Sequence, residues 1–274
     1  MRYLVRIPFR MAFHNPIYRG GMEEFARQST RWSQGLNYLI VLSIVLFVTW
    51  PKEGFISLRD LPFTYNALGG SIVIILAYLN FSQGSRKTFG SKYVSLHDWF
   101  VLAPLRAGTF LRGYVAVGLV ELCFYWGLSL PLLVLAASVS GEAFAHLGTG
   151  LGIILVCAGS YRIMGIALLT FLERDEFLLY ILVRILFVFF VLVSGFVAPL
   201  GNPVLAFADA SIWPRHLGGV VLPGITLQGW RATVVLHLLL GGLFFIIALI
   251  RVRWIQCHAA AHAGEEGSSE GGNI

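Results

Sequence analysis

The sequence predicts an all-α polytopic membrane protein with six transmembrane helices, both termini cytoplasmic, and an amphipathic N-terminal helix at the interface. Three observations predict it. First, the 274 residues are 57% hydrophobic and only 12% charged, with a mean hydropathy of +0.76. Soluble domains carry about 25% charged residues, so half that level cannot cover a globule with polar surface. Second, six apolar runs approach the roughly 20 residues needed to cross a bilayer. Third, the basic residues are distributed unevenly between the loops on the two sides.

The six runs are residues 36–50, 67–81, 113–138, 148–172, 177–200 and 232–250. The first is short and has room to begin a turn earlier, toward Trp32. Pro131 is expected to kink the third. Fourteen Lys and Arg fall on the side of the N-terminus, four on the other side and two inside spans, from a total of 20. Cytoplasmic loops carry the basic excess, which puts both termini in the cytoplasm of a plasma (bacterial inner) membrane. The first 35 residues contain six arginines and no uninterrupted apolar core, so they are expected to stay in the mature chain rather than to be cleaved.

The chain therefore divides into a cytoplasmic N-terminal segment (1–35), a six-helix transmembrane domain (36–254) and a Gly/Ser/Glu-rich tail (255–274) expected to be disordered. In the first part, Met22, Phe25, Ser29 and Trp32 recur at helical spacing, with Glu23, Glu24, Arg27 and Arg31 on other faces. That pattern predicts an amphipathic helix lying along the cytoplasmic leaflet. Between spans two and three, residues 95–103 are apolar but far too short to cross the membrane, and Pro104 ends any helix there. They predict a short helix parallel to the membrane. Residues 173–176 read Glu-Arg-Asp-Glu, a tight charged turn capping a helical hairpin. Residues 199–230 are semi-apolar and broken by prolines 199, 203, 214 and 223, which suits short helices or a re-entrant piece.

Ionisable groups inside a membrane are rare and usually paired or functional. Three occur here: Glu121, Arg162 and Arg184. Counted from the cytoplasmic ends of their spans, they lie about 12, 15 and 10 Å deep at 1.5 Å per residue. The common depth predicts a buried cluster in which Glu121 bridges to Arg162, to Arg184 or to both. Such a cluster either ties three spans in register or lines a substrate route. His237 in span six reads as a hydrogen-bonded core histidine.

Catalytic and ligand motifs are absent. There is no P-loop, no His-Glu-x-x-His, no Gly-x-Ser-x-Gly and no EF-hand pattern. The chain is thus expected not to be an enzyme by itself and to hold no cofactor and no metal. The three cysteines, Cys123, Cys157 and Cys257, have no paired spacing. His258 and His262 stand four apart without further ligands. The net charge of +6 fits basic loops facing anionic membrane lipids rather than nucleic acid.

The order of parts resembles the membrane subunit of type-2 ABC transporters, the ABC-2 exporter permeases, over about residues 15–254. The resemblance rests on Asn15-Pro16 opening a basic-acidic helix before span one, and on Trp99-Phe100-Val101-Leu102-Ala103-Pro104-Leu105 before Arg112 and span three. It also rests on the charged turn between spans four and five, the broken segment before span six, and Arg251 and Arg253 after it. In place of the Glu-rich, Gly-Thr stretch usual in that loop, the chain has SRKTFGSKYVSLHD.

The resemblance implies that two six-span subunits, identical or paralogous, form a pathway between them. Separate nucleotide-binding subunits would bind ATP and Mg²⁺ and hydrolyse the nucleotide. Leu96, His97, Asp98, Trp99, Phe100, Leu102 and Pro104 would form the coupling helix seated on that ATPase. Met22, Phe25, Arg27 and Trp32 would belong to the connecting helix, and 199–230 to the helices closing the outer gate. Two other classes fit the composition: a non-transporting scaffold subunit of a larger membrane complex, and a secondary carrier or membrane enzyme. The lack of an internal repeat between residues 36–139 and 148–250 counts against a carrier.

Overall fold

The computed structural model of the chain describes residues 15–27, 29–51, 62–85, 100, 105–172, 175–211, 220–222, 225–227 and 229–269. Among these, six helices are long and apolar enough to cross a membrane, which makes the architecture that of a multi-pass membrane protein. In chain order the elements are α1 (Pro16–Arg27), α2 (Ser29–Thr49), α3 (Phe63–Gly84), α4 (Ala107–Ser138) and α5 (Leu147–Phe171). A 3₁₀ segment, Gly141–His146, joins α4 to α5. α6 begins as Glu176–Val188, passes through a π-helical turn, Phe189–Val193, and ends as Ser194–Val197. α7 (Pro203–Ser211), a hairpin of β1 (Val220–Leu222) and β2 (Ile225–Leu227), and α8 (Gly229–Ser269) complete the chain. The hairpin pairs Val220 with Leu227 and Leu222 with Ile225.

The spans alternate in direction. The Thr64 hydroxyl at the start of α3 donates to the Thr49 carbonyl at the end of α2, at 2.6 Å. The amide of Tyr65 donates to Ser140, just past the end of α4, at 3.3 Å. α3, α5 and α8 run parallel: Phe81 meets Tyr161 at 6.0 Å between ring centroids, and Ser160 donates to the His237 carbonyl at 2.8 Å. α2 and α4 run parallel to each other and opposite to these three. We call the end holding Ser29, Gly84, Ala107 and Phe171 the near end, and the other the far end.

α3 and α5 are the most buried helices and form the centre of the bundle. Membrane helices gain nothing from hiding apolar surface from lipid, so close backbone approach through small residues does the work. Gly84 and Gly165 face one another where the two helices meet at the near end. A Cβ on Gly84 would lie 3.2 Å from the Cα of Gly165. At the far end the wedge is Phe207 of α7, which fits between α3 and α5 because Gly69 and Gly150 have no side chains there. Its ring packs on Tyr65 at 5.1 Å.

Three asparagine and aspartate caps hold the connections. Asn202 accepts from the amides of Val204 and Leu205 at 2.9 and 3.0 Å, capping α7. Its amide donates at 2.7 Å to the Val191 carbonyl in the π turn of α6. Asp209 accepts from the Trp230 amide at 3.1 Å and caps α8. Asp175 accepts from the Leu178 amide at 2.9 Å and caps α6. The prolines of 199–211 thus end one helix and start the next, and α7 tucks into the bundle.

Several boundaries differ from the sequence reading. α2 starts seven residues earlier than residue 36, and α4 starts at Ala107, six residues before residue 113. Pro131 lies within α4, which continues unbroken around it. α8 does not stop near residue 250 but continues helical to Ser269, into the segment read as a disordered tail. The first turns past the membrane are tied down: Gln256 donates to the Leu105 carbonyl and accepts from the Ala107 amide, both at 3.0 Å. Ala259, Ala260, Ala261 and Ala263 then favour helix by propensity.

The amphipathic stretch is helical on both sides of residue 28: Met22, Phe25 and Arg27 lie in α1 and Trp32 in α2. α1 runs alongside α4 in the same direction, Ile17 near Gly113, Gly21 near Val117 and Phe25 against Phe124. The Asn15 side chain explains the opening Asn-Pro. It accepts from the Ile17 amide at 3.0 Å, capping α1, and donates to the Thr109 carbonyl of α4 at 2.7 Å. Pro16 then occupies the first helical position, where its missing N–H is no loss.

The central crossing generates a test. Gly165→Ala places a methyl against α3 backbone and is expected to lower stability in detergent by about 1–3 kcal/mol. Gly152→Ala, on the same helix with open space around it, is expected to change stability by no more than about 0.5 kcal/mol. Thermal unfolding of both purified variants checks this; equal midpoints would mean the crossing is not tight.

Candidate functional site

Glu121 is the sole Asp or Glu within the six described spans. It lies on the face of α4 that carries Gly118, Leu122 and Tyr125, all buried. Helical residues three and four apart share a face, so this one stripe builds the site. Glu121 is 2% exposed, and so is Arg162 of α5.

One carboxylate bridges two guanidinium groups. One Glu121 oxygen, Oε2, accepts from Arg162 Nη1 at 2.8 Å. The other, Oε1, accepts from Arg31 Nη1 on the first turn of α2. Arg162 Nη1 also donates to Gln83 Oε1 of α3 at 3.3 Å. Four helices, α2 to α5, are therefore joined through one acid. The Arg31 guanidinium lies over the Phe25 ring at 4.8 Å. One turn beyond Glu121, the Tyr125 hydroxyl donates to Gln34 Oε1 at 3.4 Å.

Gly118 makes room for the large cation. A Cβ there would sit 3.0 Å from both Cγ and Cζ of Arg162. Arg162 Nε is buried against this position without a hydrogen-bond partner among the described residues. Arginine cannot shed its proton in a protein, so in low dielectric Arg162 depends on Glu121 for its stability.

Arg184 does not join the cluster, which corrects the expectation from depth. Its Nη1 donates to the Tyr180 carbonyl of its own helix at 3.1 Å. Its guanidinium stacks over the Tyr180 ring, 3.1 Å from the centroid. Depth set the level but not the face. The buried line of α6 runs through Leu179, Val183 and Val191, and Arg184 lies one residue off it. Arg31 takes its place. A first span begun at residue 36 leaves Arg31 outside the membrane. A 15-residue run too short to cross a bilayer was the available signal that the helix extends back over Arg31.

Of the loop residues, Leu96, His97, Asp98, Trp99, Leu102 and Pro104 lie outside the described residues. Phe100 is described and is 5% exposed, its ring edge-on to Phe110 at 5.6 Å. Its side chain belongs to the core rather than to an exposed tip. Of the connecting-helix residues, Met22 is half-buried and Arg27 exposed. Phe25 and Trp32 both set their rings edge-on to Phe124, at 5.7 and 5.6 Å. His237 is buried with Nδ1 2.9 Å from the Thr233 carbonyl, a core histidine with its partner on the same helix. Among the described residues no three His, Cys, Asp or Glu gather where a metal ion would fit.

Comparison of the chain with family models, with curated proteins and with solved structures finds no match.

The geometry ranks three substitutions. Glu121→Leu strands Arg162 and removes the bridge to Arg31, and Arg162→Leu strands Glu121 in the core; each is expected to cost about 3–5 kcal/mol. Arg31→Leu is expected to cost less, because its side chain retains 15% exposure against 2% for the others. Unfolding midpoints in detergent check the order. An Arg31→Leu loss as large as that of Arg162→Leu would show that burial does not set it.

Proposed function

We propose that the chain is the membrane-spanning permease subunit of an ATP-driven ABC-2 type transporter, an exporter. It works as a dimer, with separate nucleotide-binding subunits that bind ATP and Mg²⁺. Both termini face the cytoplasm of a bacterial inner membrane, which the basic bias of the near-end segments supports.

The observation that carries this reading is the order of the parts. A capped helix, α1, precedes six alternating spans. Between spans two and three, whose joined ends both lie on the near side, the apolar run 95–103 is too short to cross the membrane. A short helix, α7, tucks into the opposite end just before the last span. Such a plan gives an ATPase one side to push on and gives the pathway a closure at the other. Within the near-side segment, the coupling role falls to residues around Trp99 rather than to Phe100, whose ring is committed to Phe110.

A scaffold subunit is the second reading, and the charge cluster favours it. Glu121 and Arg162 are closed on one another and on Gln83. A tie of that kind holds helices together and presents no charge to a cargo.

Purification of the tagged chain from its native membrane in mild detergent, with mass spectrometry of what accompanies it, separates the two. The permease reading expects a stoichiometric soluble subunit bearing a P-loop. It further expects Trp99→Ala to uncouple ATP hydrolysis from transport while leaving the unfolding midpoint unchanged. Phe100→Asp is expected to unfold the chain and so does not serve as the test. Recovery of integral proteins alone, without an ATPase, would overturn the permease reading and leave the scaffold.

A further inference from the structure

Arg184 is a permanent cation on the outer face of a span. α6 is one of the three spans least enclosed by their neighbours, and Phe177, Leu178, Tyr180, Ile185 and Val188 around the arginine are all exposed. A charge facing lipid is unfavourable unless it reaches the interface or finds a counter-charge. Within the described chain it finds none. Its one hydrogen bond is to the Tyr180 carbonyl, and the remaining N–H groups of the guanidinium have no partner among the described residues.

Three features narrow what fills the gap. Arg184 lies eight residues after Glu176, about 12 Å along the helix. The bond to the Tyr180 carbonyl and the stack on the Tyr180 ring draw its head back toward the near end, as arginines do when they snorkel to the interface. A tyrosine at that level is the ordinary residue of a membrane boundary. A second copy of the chain offers no neutralising acid at this depth. The single carboxylate of the described spans, Glu121, is 2% exposed and already holds two arginines.

We infer that Arg184, held flat on Tyr180, binds the phosphate of an anionic glycerophospholipid, whose acyl chains lie along Ile185 and Val188. The planar fork of a guanidinium matches phosphate oxygens two at a time. Stacking on Tyr180 fixes the plane of that fork. The site is separate from the Glu121 cluster and does not depend on the permease reading.

The test compares wild type with Arg184→Gln and Arg184→Lys in an uncharged detergent. Native mass spectrometry counts bound dioleoylphosphatidylglycerol against dioleoylphosphatidylcholine, with inorganic phosphate as competitor. The expected result is a wild-type preference for the anionic lipid that falls about fivefold in Arg184→Gln, the factor for one basic side chain near a membrane surface. Arg184→Lys should restore part of it as a point charge, with the unfolding midpoint unchanged in lipid-free detergent for both variants. An unchanged preference in Arg184→Gln overturns the inference. So does displacement of the lipid by millimolar inorganic phosphate, which would make the ligand a free anion. Loss of a co-purifying integral protein, with lipid binding intact, overturns it in favour of a protein partner.

Discussion

Arg162 stands at the point where two constraints meet. Its backbone carbonyl abuts Gly84, at the close crossing of α3 and α5. Its side chain passes Gly118 to reach Glu121 of α4 and Gln83 of α3. The crossing fixes the backbone, so the guanidinium has one direction to go, and the cation then dictates that an acid and a glycine face it on α4. A buried ion pair is not a source of stability by itself, because desolvation offsets most of the attraction. Its consequence is specificity: helices that slid or rotated would leave a charge alone in low dielectric.

From that point the rest of the bundle follows in two directions. Toward the near end, Arg31 brings the first turn of α2 onto Glu121, and α1 continues down the same helix to Asn15 and Thr109. Gln256 then fastens the extension of α8 to the start of α4. Toward the far end, Phe207 spreads α3 and α5 where the glycines of the crossing no longer hold them. Asn202 and Asp209 anchor α7 on both sides of that wedge. Close packing governs one end and an inserted aromatic the other. α6 shares little of either, and its arginine consequently looks outward.

The local chemistry of the sequence made several features legible. Six spans were visible because each carries a long apolar run, and a bilayer demands such a run independently of the neighbours. The acidic turn at Asp175 was legible as punctuation, since capping depends on residues two or three apart. That Glu121 meets a basic residue of a neighbouring span was legible from depth, with Arg162 and Arg184 both open, because a membrane interior does not tolerate such charges singly.

What the tertiary structure decided is which way each side chain faces. Arg184 and Arg162 look alike in sequence, yet one enters the core and the other leaves it, because α6 is rotated to bury Leu179 and Val183 instead. Arg31 entered the cluster because α2 packs parallel to α4, a relation no local pattern encodes. Phe100 became core rather than tip for the same reason: an aromatic in an apolar run has no preferred neighbour until Phe110 is brought to it. Composition and period fix what must leave water and where each apolar run lies. The partner across each interface is a property of the whole bundle, settled by where glycines let backbones close and where a charge finds its one counter-charge.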